Sequence, residues 1–359
     1  MEFVGVNDNS NNKAAVSTVS GRFVQFDGLR GLAIIIVVLS HCDILNQGGT
    51  ANAFFFALSG FLLINPFKEQ YERRFLSIWN ILKFYKSRAI RILPAYYLVL
   101  LIVYIQTRFN LIEKDVFIDL LYFGNIYEHL WFIYAYFWIM LFIPFFFVAF
   151  IFLAKHIKSL NNDLVCFFVF IVLSGLIRLF FVCTDLFDIR FDQLLIGVAV
   201  GYLYRYLRNN TKFKNSKINK PYIGDLFILL VFLFVIFSSS SVLSLFNPDL
   251  EYFYIGWHYI YLVGLIFGLL ILMVSLFPGC IAGRILSLNP LRFIGKLSYP
   301  IYLMNFFLVK QINVQNKYFQ FLCVFSVCVV LSWLIDTAIS KVITALQSCT
   351  KNKKAVRKS

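Results

Sequence analysis

The chain has 359 residues, of which 60% are hydrophobic and only 14% charged, against about 25% charged in soluble domains. That composition excludes a large water-soluble domain, and 18 Gly, 8 Pro and seven Cys without CxxC or zinc spacing exclude collagen-like, low-complexity and disulfide-scaffold chains. The formal net charge of +15 would point to nucleic acid in a soluble protein; in so apolar a chain it asks first on which side of a membrane the charges lie.

Ten long, nearly uncharged runs, each bounded by a polar cluster, predict an all-α integral membrane bundle. They fall at 28–46, 51–66, 92–107, 129–154, 163–183, 191–207, 222–245, 255–277, 293–312 and 319–345. The second and third are short for a hydrocarbon core of about 30 Å, as expected of tilted or broken helices around a site. If the runs alternate in direction, 27 of the 33 Lys and Arg collect on one face, with a net charge of +20 there, −4 opposite and −1 from Asp336 inside the last run. The positive-inside tendency makes the basic face cytoplasmic and places both termini there. Most of the +15 is thereby a topology signal, and no nucleic-acid partner is expected.

Residues 1–25 are polar and lack the apolar core and cleavage site of a signal peptide, so they read as a cytoplasmic N-terminus ahead of a membrane domain at 26–347. Within that domain 209–221 reads as a flexible basic linker on the cytoplasmic side, and 348–359 as a basic tail.

Ionisable groups inside spans cost at least about 2.5–3.5 kcal/mol each and require a reason. In the first span Arg30 and His41 are eleven positions apart, about three turns, so they share one helix face at a separation of about 16 Å. The pattern suits an anion held at the cytoplasmic surface by Arg30 and chemistry performed deeper by His41; the alternative is an interfacial histidine partnered by Asp43. In the second span Ser59-Gly60 permits close helix approach and offers a hydroxyl, expected within one or two turns of the level of His41; plain small-residue packing is the other reading. Arg88 and Arg91, three apart beside Lys86, form one basic face if helical and suit phosphate, or serve only as a topology anchor. Asp192 is positioned to pair with Arg190 or Arg178, as a structural ion pair or a substrate contact. His156 reads as a solvated turn residue and His258 as part of an aromatic belt. No metal site is expected.

The order Arg30-(ten residues)-His41, Phe55-Phe56-x-x-Ser59-Gly60-Phe61 and Arg88-x-x-Arg91-Ile92-x-Pro94 resembles the membrane acyltransferase-3 family of sugar and lipid O-acyltransferases. Two later stretches agree: Arg190-x-Asp192-x-Leu194-x-x-Gly197 and Gly295-x-x-Ser298-Tyr299-x-x-Tyr302-Leu303. The chain departs from the family pattern at Asn305, where many members carry histidine, and in the fourth span, where Leu130-Trp131-Phe132-Ile133-Tyr134-Ala135-Tyr136 holds no acid. Glu128 and His129 would then line an acceptor entrance or an exposed loop end.

The resemblance implies acetyl-CoA or another short acyl-CoA as donor substrate, with no permanently bound cofactor. Arg30, Arg88 and Arg91 would hold the donor's phosphates, and His41 would act as base or transient acyl carrier, with Ser59 as a hydrogen-bonding partner. The acceptor would be a hydroxyl of a surface polysaccharide or lipid-linked glycan at the cell membrane. A secondary transporter or a non-catalytic export accessory is the other class; the absence of evident inverted repeats speaks against the former.

Overall fold

A computed structural model describes residues 23–64, 71–106, 131–184, 190–216, 219–239, 242 and 257–356. The described residues contain no strand. Twelve helices are numbered here: α1 (Val24–His41), α2 (Gly48–Leu63), α3 (Ile78–Gln106), α4 (Trp131–His156), α5 (Asp163–Cys183), α6 (Phe191–Asn209), α7 (Pro221–Phe237), α8 (Trp257–Leu276), α9 (Ile281–Leu286), α10 (Asn289–Lys296), α11 (Ser298–Gln311) and α12 (Lys317–Val356).

Among the described residues five helical segments are long and apolar enough to cross a membrane: Val24–His41, Trp131–His156, Asp163–Cys183, Tyr259–Leu276 and Lys317–Ala345. Gly48–Leu63 and Pro221–Phe237 are apolar but shorter. Two expectations change shape. The third span is the second half of α3, which already begins at Ile78, so the basic stretch before Pro94 is helical and continuous with it. The ninth is two helices, because α10 stops at Lys296 and α11 starts at Ser298 after a break at Leu297. In the basic linker, Thr211–Lys214 forms a single turn capped by Asn210, whose side chain accepts from the amides of Lys212 and Phe213.

The apolar periodicity of these helices is satisfied by two phenylalanine-rich cores. One gathers α1, α7, α8, α11 and part of α12 with one face of α2; the other gathers α4, α5 and most of α6 around Phe56 of α2, Phe147 and Phe170, so that α2 and α6 contribute to both. Backbone contact sets the register at two crossings. A Cβ on Gly60 of α2 would land on the Leu194 carbonyl of α6, and a Cβ on Gly197 of α6 on the Ala57 carbonyl of α2. At the second crossing Gly31 of α1 faces the Leu291 carbonyl of α10, and Gly295 of α10 faces that of Asp27. Small residues permit such approach, and in lipid, where helices gain nothing by hiding apolar surface from one another, close packing is what joins them.

A buried ion pair fixes α5 to α6. Arg178 donates from Nε to Asp192 Oδ2 at 3.0 Å and from Nη2 to Oδ1 at 2.7 Å, while Gln193 Nε2 donates to Asp192 Oδ2 and to the Ile260 carbonyl, both at 3.0 Å. Of the two partners open to Asp192, the structure selects Arg178. Arg190 instead lies over the Trp131 ring, 5.3 Å from its centroid.

Candidate functional site

α1 and α2 are antiparallel, and their register comes from the tight turn between them. Asp43 takes up a left-handed conformation (φ 54°), the Ile44 amide donates back to the Leu39 carbonyl at 3.0 Å, and α1 ends immediately after His41. Gly48 then lies against Ser40: a Cβ on it would be 3.0 Å from the Ser40 hydroxyl oxygen. Eleven residues down α2 from Gly48 is Ser59, and ten down α1 from Ser40 is Arg30, so both descend about 15–16 Å. Ser59 therefore lies at the level of Arg30, about three turns from His41. The expectation of one or two turns is corrected by the short connection, which starts α2 level with the very end of α1.

At this level the structure has a cavity of about 280 Å³. Arg30, Ser59, Arg88 and Arg91 all line it, together with aromatic side chains that include Phe132, Tyr136, Tyr299 and Tyr302. Among the described residues no carboxylate lines it. Arg30 is more deeply set than a surface position: its side chain is 18% exposed, and Nη1 donates to the buried Asp27 carboxylate at 3.1 Å. Arg88 donates from Nη1 to the Tyr136 hydroxyl at 3.1 Å. Arg91, one turn along α3, is exposed, and no hydrogen bond or ion pair engages it among the described residues. Tyr299 donates its hydroxyl hydrogen to the Ile92 carbonyl at 3.1 Å, tying α11 to α3 beside Arg91. One guanidinium is thus neutralised by Asp27 and two are not, in a partly enclosed, low-dielectric space where an anion gains most from them.

His41 does not line this cavity. It lies beyond it along α11, whose residues climb from Ser298, Tyr299 and Tyr302 in the cavity wall to Asn305 one turn further. His41 Nδ1 is hydrogen-bonded to Asn305 Oδ1, and the imidazole meets the Phe306 ring edge-on with centroids 5.4 Å apart. The Asn305 amide is oriented by its other end, because Nδ2 donates to the Ile301 carbonyl at 3.1 Å and the Tyr302 carbonyl at 2.8 Å. With both amide hydrogens committed to backbone, only the oxygen can face His41, so Nδ1 must carry hydrogen and neutral His41 keeps its lone pair on Nε2. This network settles the histidine's partner as Asn305, not Asp43.

Arg30, Arg88, Arg91 and Ser59 are thus brought together, and His41 stands apart at the far end of the same helix face. Sequence reasoning assigned no role to Asp27 or Tyr136, and Tyr302 stood only as one position of a family pattern. Asp27 stood in view three residues before Arg30, a spacing that favours an ion pair on a helix; the two tyrosines were hidden in aromatic-rich helices. His156 is exposed and bonded to the Phe152 carbonyl at 2.9 Å. Glu128 and His129, and the side chain of His258, lie outside the described residues. No group of three His, Cys, Asp or Glu able to hold a metal ion occurs among the described residues.

A family model described as an acyltransferase domain, that of the acyltransferase-3 family, matches residues 23–337. The chain is 24% identical, over 324 aligned residues, to a protein of Staphylococcus aureus named O-acetyltransferase OatA, covering 80% of this chain and 50% of that protein. It is 26% identical, again over 324, to one of Listeria monocytogenes named peptidoglycan O-acetyltransferase OatA, covering 79% and 48% respectively. The chain spans about half the length of these relatives. No solved structure matches it.

Proposed function

The chain belongs to the acyltransferase-3 family, and from that premise we propose that it is a multi-pass cell-membrane O-acetyltransferase, carrying an acyl group from cytoplasmic acyl-CoA to a hydroxyl of a surface glycan or lipid-linked glycan. One observation carries the reading: α1 places Arg30 in a cationic cavity shared with Arg88 and Arg91 at one end and, on the same face about 16 Å away, a histidine whose Nε2 keeps its lone pair. The reaction needs those two ends separated, because the phosphates of CoA and its thioester lie at opposite ends of a flexible pantetheine arm.

In this reading Arg88 and Arg91, with Arg30 behind them, hold the donor's phosphates, and Ser59 adds a hydroxyl to the same cavity. The arm runs along α11 past Tyr302 toward His41. His41 Nε2 takes the proton of the acceptor hydroxyl as its oxygen attacks the thioester carbonyl. The tetrahedral intermediate collapses with cleavage of the carbon–sulfur bond, and the CoA thiolate leaves and regains the proton from the imidazolium. In a two-step variant Nε2 itself attacks the thioester carbonyl and expels the CoA thiolate; the acceptor oxygen then attacks the acyl-histidine, Nε2 leaves as neutral imidazole, and the acceptor's proton passes to the thiolate. The names of both relatives support acetyl as the group, and the name of the Listeria protein, which specifies peptidoglycan, supports a glycan as the class of acceptor. The charge partition supports a donor from the basic face, with both termini on that side.

The test uses purified protein, labelled acetyl-CoA and a crude glycan-lipid extract, comparing wild type with His41→Ala. Label should pass to the glycan fraction only with wild type. Equal transfer by both would overturn the assignment of His41.

A further inference from the structure

The Arg88–Tyr136 hydrogen bond is a shared wall. On one side is the arginine cavity; on the other is a second pocket of about 210 Å³, which Arg88, Ile92 and Tyr136 also line. Its remaining wall is Tyr85, Ala89 and Leu93 of α3 with Phe137, Met140 and Leu141 of α4. The two helices are bridged here by side chains, through Arg88 to Tyr136 and through the Tyr85 hydroxyl to the Leu141 carbonyl at 2.6 Å. Flanking residues on the same helices, Ile90 on α3 and Trp138 and Phe142 on α4, are exposed and apolar, as expected of a surface that meets hydrocarbon.

A short acyl-CoA does not explain this pocket. Its hydrophilic phosphates would sit at the arginines, and its acyl group belongs at the far end, beside His41. The pocket instead places an apolar slot directly against the Arg88 guanidinium, which also lines the arginine cavity beside Arg91, and neither arginine is paired with a carboxylate among the described residues. That pairing is the chemistry of an anionic phospholipid: a phosphate with a hydrocarbon chain beginning a few bonds away.

We propose that the gap between α3 and α4 is a lateral binding site for an anionic phospholipid, its phosphate on Arg88 and Arg91 and one acyl chain in the slot lined by Ala89, Leu93, Phe137 and Met140. Tyr136, already bonded to Arg88, is the lintel under which head and chain join. The lipid comes from the leaflet on the side of the arginines and competes with the nucleotide end of the donor for the same cations. The idea rests on the proposed function only for that competition; occupancy of the slot is independent of it.

The experiment has two readouts. In native mass spectrometry of protein purified with equal phosphatidylglycerol and phosphatidylcholine, wild type should retain one phosphatidylglycerol. Met140→Trp, which fills the slot from α4, and Ala89→Leu, which fills it from α3, should each lose it while remaining monodisperse. No preference for phosphatidylglycerol, or retention unchanged in both variants, would overturn the site. In nanodiscs, phosphatidylglycerol should weaken acetyl-CoA binding to wild type about threefold or more relative to phosphatidylcholine, by simple competition, and should do so far less in the filled variants. An equal effect in all three proteins would be bulk surface charge and would count against the site. If acetyl-CoA binds none of them, the proposed function fails while the retention measurement still decides the lipid site.

Discussion

Asn305 holds His41 by its amide oxygen because its amide nitrogen is tied to the carbonyls of Ile301 and Tyr302, the preceding turn of its own helix. The imidazole is therefore oriented by a neutral group that is itself anchored by backbone. Replacing Asn305 with Leu frees the ring and strands Nδ1, and kcat for acetyl transfer should fall about 10–100-fold with little change in the KM for donor, as when other groups that orient a functional histidine are removed. Asn305→Asp, whose carboxylate accepts the same Nδ1 hydrogen, should retain much more activity than Asn305→Leu. Equal loss in the two would mean that Asn305 does not act through the ring.

Arg88 and Arg91 together should govern donor affinity. Hydrogen bonds to charged groups contribute about 1.5–3 kcal/mol each, so the double replacement by Ala should weaken acetyl-CoA binding by at least about 100-fold and flatten its salt dependence. Titration calorimetry in a neutral detergent measures both. Unchanged affinity would return the two arginines to the role of topology anchors.

Ser59 separates two roles by kinetics. Placed in the arginine cavity and three turns from His41, its hydroxyl should affect donor KM when replaced by Ala, with kcat altered less than about twofold. A fall in kcat at unchanged KM would instead indicate contact with the reacting carbonyl.

The crossing of α2 and α6 should not tolerate a side chain. Gly60→Leu or Gly197→Leu pushes a side chain into the partner's backbone carbonyl, which cannot retreat, and the cost should exceed the usual overpacking range of about 1–3 kcal/mol. Gly49→Leu, where a Cβ meets nothing within 4 Å, is the control. Fluorescence-detected size exclusion should show loss of the monodisperse peak for the first two and a normal peak for the third.

The buried pair offers a double-mutant comparison. Arg178→Met alone leaves Asp192 as an unpaired charge, with a cost of about 3–5 kcal/mol, whereas adding Asp192→Leu should recover most of it. Thermal denaturation in detergent measures the difference; a double variant less stable than the single would show that the pair acts through something other than its charge.

Features confined to one helix were legible in the sequence. The shared face of Arg30 and His41 follows from 3.6 residues per turn, and so does the common face of Arg88 and Arg91 once that stretch is helical. Relations between helices were less visible. The depth of Ser59 depended on where α2 begins, which a turn built around Asp43 decides, and the choice of Arg178 over Arg190 depended on how α5 leans on α6. The break at Leu297 left no mark on hydropathy, since α10 and α11 join through an apolar residue. Asn305 was visible as a departure from a pattern; its grip on His41 needed the geometry of α11.

Arg30 and His41 belong to one uninterrupted helix, closed by the Asp43 turn and braced against α10 where Gly31 and Gly295 let backbones touch. Breathing of the bundle can tilt that helix but cannot lengthen it, so α1 works as a pair of calipers set at a fixed opening. In the proposed reaction a donor gripped at one tip is measured at the other: an arm too short would leave its reactive carbon below the histidine, and an acyl chain with extra carbons would carry no penalty until it met whatever stands beyond.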